Sequence, residues 1–69
     1  MMAEILERYI DKTVAIKLIS NEKIIGKPLQ QLEGEEKSFL VELEKAWAGY
    51  PKGQLIEVKY DQVLQIEEF

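Results

Sequence analysis

The stretch Thr13 to Leu29 holds two apolar runs, and the first, Val14 to Ile19, alternates between two faces with a period of two. Val14, Ile16 and Leu18 fall on one side and Ala15, Lys17 and Ile19 on the other, the pattern of a half-buried strand. The run resumes at Ile24 and Ile25, and Asn21 between the two runs tolerates a positive φ. The stretch therefore predicts two antiparallel strands, Thr13 to Ser20 and Lys23 to Leu32 or Glu33, with a tight reversal at Asn21-Glu22. Gly26 sits inside the second strand, where a glycine marks a bulge, a bend or a close backbone approach. Pro28 has no N–H and cannot complete a central ladder, so the second strand is expected to bulge or to lie at an edge just after Gly26.

Three further strands follow. Ser38 to Ala46 places Phe39, Val41 and Leu43 on one face, opposite Leu40, Glu42 and Glu44. Gln54 to Lys59 carries Leu55, Ile56 and Val58, and Val63 to Glu67 carries Val63, Leu64 and Ile66. Gly34 to Lys37 and Tyr60-Asp61-Gln62 read as tight turns, and Trp47 to Gly53 as a loop with two large aromatics. Ahead of the strands, Ile5, Leu6, Tyr9 and Ile10 recur at helical spacing, which predicts a short amphipathic helix over 2–10 packed on the sheet.

One helix and five short strands in 69 residues make a single, mainly β domain. The natural arrangement is a strongly bent five-stranded antiparallel sheet curling into a small SH3-like or OB-like barrel, because a flat meander would expose two faces and two edges. A core of this size supplies only ~3–5 kcal/mol of net stability. The usual reinforcements are missing, since there is no cysteine for a disulfide or thiolate metal site and no histidine. Oligomerisation is the remaining one, and an apolar fraction of 46% is generous enough to serve it.

Charge narrows the partners. Nine basic and 13 acidic residues give a net charge of −4, which disfavours bulk attraction to nucleic acid or to an anionic membrane. No apolar run approaches a membrane span and no signal-peptide pattern is visible, so a soluble cytoplasmic protein is expected. Catalysis has little to work with. Thr13, Ser20, Ser38 and the tyrosines have no histidine or cysteine to activate them, so an enzyme is not expected. Glu33, Glu35 and Glu36 form an acidic cluster without the spacing of a calcium loop, and no metal or cofactor is expected.

The motifs resemble those of the Sm-like (Lsm/Hfq-like) family. Leu18-Ile19-Ser20-Asn21-Glu22-Lys23-Ile24-Ile25-Gly26 is similar to the family's first motif, with Asn21 in place of its first glycine. Val58-Lys59-Tyr60-Asp61-Gln62-Val63 is similar to the second, with Lys59 and Tyr60 replacing its arginine and glycine. Pro28 stands where the family has a leucine, and Glu33 and Ser38 are the nearest positions to its base-holding aspartate and asparagine. A PRC-barrel-like or other SH3-like domain is the alternative. The resemblance implies a homo-oligomeric ring in which the fourth strand of one subunit joins the fifth of the next. Its interface would use Leu55, Ile56, Val58, Val63, Leu64 and Ile66, unless these fill the subunit's own core. It also implies RNA or single-stranded nucleic acid as a partner at a pore-facing turn. There Lys59 would meet phosphate, Tyr60 would stack a base and Asp61 would accept hydrogen bonds. The alternative at that turn is that Tyr60 packs over the barrel mouth and Lys59 pairs with a nearby glutamate. Trp47, Tyr50 and Lys52 form a second candidate contact patch, or a cover for the end of the core.

Overall fold

A ten-residue strand carries the architecture. The structure, a computed structural model, describes residues 6–34 and 36–69. Strand β2, Lys23–Leu32, pairs through its first part with β1, Val14–Leu18, and through its second part with β3, Ser38–Leu43. Gly26 is where the two ladders meet, opposite Val14 on one side and Leu43 on the other. A Cβ there would lie 2.7 Å from Val41 Cγ1 and 2.8 Å from the Glu42 carbonyl oxygen. Only a glycine lets the strands approach this closely.

Two outer strands complete an all-antiparallel sheet. Strand β4, Leu55–Lys59, pairs with β3, and β5, Val63–Glu68, pairs with β1. The order is β4-β3-β2-β1-β5, so β4 and β5 are the two edges. These edges are nonetheless joined by a single 3-10 turn, Tyr60–Gln62. Lys59 to Val63 is four residue steps, at most roughly 14 Å of chain. A five-stranded sheet whose far edges are tied this closely must bend. The core records the bend, because β1 (Val14, Ile16, Leu18), β3 (Phe39, Val41, Leu43), β4 (Val58) and β5 (Val63) all contribute to one buried cluster.

Local chemistry follows the sequence closely along the strands. Asn21 adopts φ 73°, and its N–H bonds to the Leu18 carbonyl at 2.9 Å, closing the β1–β2 reversal. The register slips between Pro28 and Gln30, the bulge expected after Gly26. The Pro28 carbonyl accepts from Asp11 N–H at 2.9 Å on the side where the β1 ladder has ended. The N–H that proline lacks would face that same side, so no strand-to-strand bond is lost. Strand β3 stops at Leu43, short of Ala46. Beyond it Trp47 and Tyr50 bond backbone to backbone across Ala48 and Gly49, both at positive φ.

The helix expected over 2–10 is not borne out. Its first residues, 2–5, lie outside the described residues. Leu6 and Glu7 have helical backbone, but Arg8 onward is turn. Tyr9 N–H bonds to the Leu6 carbonyl and Lys12 N–H to the Tyr9 carbonyl, both one residue tighter than an α-helix. Asp11 then takes φ 66° and ends the segment. Two helical turns are too few to hold without packing, and among the described residues of this segment Leu6 is buried and Tyr9 packs against the core, while Ile10 stays 40% exposed. No helix among the described residues is long and apolar enough to cross a membrane.

Candidate functional site

The corner turn between β4 and β5 brings Lys59, Tyr60 and Asp61 together, as the sequence implies. Each of the first two finds a partner there, Lys59 from the turn before β3 and Tyr60 from the start of β3. Lys59 Nζ lies 3.0 Å from Glu36 Oε2, in an exposed ion pair. The hydrogen bond and the charge of Glu36 raise the Lys59 ammonium above its ordinary range, with Glu57 and Asp61 adding to the effect. The Tyr60 ring stacks on Phe39 at 5.9 Å between centroids, with the planes 22° apart. Its N–H donates to the Lys37 carbonyl at 3.1 Å. Burial pushes the Tyr60 phenol up, and the negative charges of Glu7 and Glu33 push the same way. The Tyr60 hydroxyl is buried with no hydrogen-bond partner among the described residues. Asp61 is exposed. Lys59 is therefore paired within the chain and Tyr60 covers the core.

Ser38, one of the two positions nearest the family's base-holding pair, is 1% exposed, and its Oγ donates to Glu57 Oε2 at 2.6 Å. A hydroxyl so placed is closed to a ligand. Glu33 is exposed. In the acidic cluster Glu36 is committed to Lys59, Glu35 lies outside the described residues, and no group of metal-ligating side chains assembles among the described residues.

The six apolar residues of the expected interface divide by strand phase. On β4, Val58 is buried and Ile56 half-buried, while Leu55 is 47% exposed. On β5, Val63 is buried, Ile66 half-buried and Leu64 50% exposed. The register slip between Lys17 and Leu18 leaves Leu64 unpaired on an outward bulge, since Lys17 faces Gln65 and Leu18 faces Val63. Val58 and Val63 thus belong to the chain's own core, and only their backbones lie on the sheet edges. In the long loop Trp47 packs against the core and stacks on Tyr50 at 6.3 Å, leaving Tyr50 47% exposed.

A cationic pair escapes the sequence reading. The β1–β2 register puts Lys17 directly opposite Lys23, with Gln65 on the other side of Lys17. A reversal at Asn21-Glu22, as expected from the sequence, would set Lys17 opposite Gly26; β1 instead ends at Leu18 and the chain turns over Ile19 to Asn21, which shifts the register and brings the two lysines together. No family model matches the chain, nor does any curated protein or solved structure.

Proposed function

We propose that this chain is an Sm-like assembly module. Its bent sheet curls into a small barrel, and copies join β4 of one to β5 of the next in a closed homo-oligomeric ring. The supporting observation is the pair of edges, without a strand partner among the described residues, that flank one corner turn, with Leu55 exposed on one and Leu64 on the other. An edge strand presents a row of unpaired N–H and C=O groups, and head-to-tail pairing of two unlike edges closes into a ring when the rotation between copies allows it. The marginal core of so small a chain favours the same outcome. Light scattering tests it. A solution mass several times the 8.0 kDa of one chain is expected; a monomer at all concentrations removes the reading.

Scaffolding or protein interaction is the better-supported role for such a module, because Lys59 and Tyr60 are engaged within the subunit and the chain is acidic. One observation favours nucleic acid as a second reading: the Lys59-Tyr60-Asp61 turn lies between the two edges, so a ring would repeat it around its axis. Titrating a short single-stranded oligonucleotide against salt decides this, and no binding at low salt removes it.

A further inference from the structure

The outer face of β5-β1-β2 holds two lysines in a relation that folding does not explain. Lys17 and Lys23 stand directly opposite each other, and like charges so placed destabilise a sheet. Carboxylates are not scarce, with 13 acidic residues against nine basic ones. Across Gly26 the outer face pairs its charges: Lys27 is opposite Glu42 and 3.7 Å from Glu44. Among the described residues neither Lys17 nor Lys23 makes an ion pair. Locally unfavourable arrangements of this kind tend to survive at functional sites.

The pair lines a depression of about 130 Å³ whose remaining walls are Ala15, Gln65 and Glu67. Ala15 leaves the middle of the face low, because a larger side chain on this central strand would fill it. Glu67, opposite Ala15, is held by Gln65: its Oε1 accepts from Gln65 Nε2 at 2.6 Å. The carboxylate is thereby tied to its own strand and bonds neither lysine.

We propose that this depression binds the phosphate group of a small phosphorylated molecule. One phosphate oxygen set accepts from both ammonium groups and converts their repulsion into two charge-assisted hydrogen bonds. Glu67, at the opposite side, accepts from a hydroxyl carried by the same molecule. Edge pairing of β4 with β5 uses strand borders and leaves this face open, so the site stands or falls independently of the ring.

Inorganic phosphate is the probe, titrated into the full chain while amide NMR shifts are followed, with chloride at matched ionic strength as the control. The expected result is saturable shifts centred on Ala15, Lys17, Lys23 and Gln65 that chloride does not reproduce. Lys17→Gln should weaken phosphate binding roughly tenfold or more, the loss of a charge-assisted hydrogen bond. Lys23→Glu should raise the thermal midpoint in phosphate-free buffer, by relieving the repulsion, and abolish the phosphate response. Equal shifts with chloride, or an undiminished response in both variants, would overturn the proposal.

Discussion

The two halves of the bent sheet treat charge in opposite ways. In the half built from the end of β2, β3 and β4, Lys27 sits among Glu42 and Glu44, Lys59 meets Glu36, and Ser38 meets Glu57. In the half built from β5, β1 and the start of β2, two lysines oppose each other. Composition is shared by both halves, so the contrast comes from placement. Paired charges on a wet sheet face add little stability but specify register. Opposed charges cost stability and specify nothing about the fold, which is why we read them as directed outward, to a ligand.

Gly26 joins the halves, and its replacement should have the largest effect. In Gly26→Ala the added methyl meets Val41 Cγ1 and the Glu42 carbonyl at distances that nothing tolerates unmoved. The backbone oxygen cannot swing aside as a flexible side chain would. Overpacking of this kind costs roughly 2–3 kcal/mol, most of the ~3–5 kcal/mol such a core provides. Thermal denaturation should show the midpoint falling by about 10 °C or more. A variant that melts within a few degrees of the parent would mean that the two ladders do not depend on close approach at this residue.

What the sequence makes legible is what neighbours in the chain decide. The positive φ of Asn21, the alternation of Val14, Ile16 and Leu18, and the bulge after Pro28 all rest on local backbone and side-chain preferences, although the reversal itself falls at Ile19 to Asn21, earlier than the expected Asn21-Glu22. The expected 2–10 helix had apolar residues at helical spacing, but its described part anchors Leu6 and Tyr9 on the core through tight turns and ends at Asp11. The partners of the corner turn were hidden because Glu36 and Phe39 lie more than twenty positions away from Lys59 and Tyr60. The interface residues were grouped by hydrophobicity when period two separates them: Leu55, Glu57 and Lys59 face out, and Ile56 and Val58 face in. On β5 the bulge at Leu64 shifts that phase, and nothing in the side chains announces it.

The buried Tyr60 hydroxyl offers a smaller and opposite effect. A buried donor carries its desolvation cost unrelieved when it has no partner, and this one has none among the described residues. Tyr60→Phe removes it while keeping the ring that stacks on Phe39, so a gain of roughly 1 kcal/mol is expected, read as a midpoint a few degrees higher. The pH dependence supplies a second check. The folded phenol is raised above its ordinary value of 10.0, so the folded state holds its proton more tightly than the unfolded chain. That contribution is complete below pH 10 and is lost as pH rises through the folded value. Alkaline melting should therefore be steeper in the parent than in Tyr60→Phe. Equal slopes would mean that the hydroxyl reaches water and is not desolvated in the folded state.

The smallest effect expected is that of Lys59→Ala, and its smallness is informative. The ammonium and Glu36 are both exposed, and solvent screens such a pair so well that the melting midpoint should not move measurably. The comparison of interest is with Lys23→Glu, which adds a favourable cross-strand pair where the parent has a repulsive one and should raise the midpoint. If Lys59→Ala instead lowered the midpoint clearly, with Lys23→Glu neutral, the corner pair would be structural and the hairpin lysines too far apart to repel. The contrast between the two halves of the sheet would then be one of geometry alone. If the order is as expected, the half with its charges paired can lose a pair without consequence, and the half with opposed charges improves when the opposition is removed.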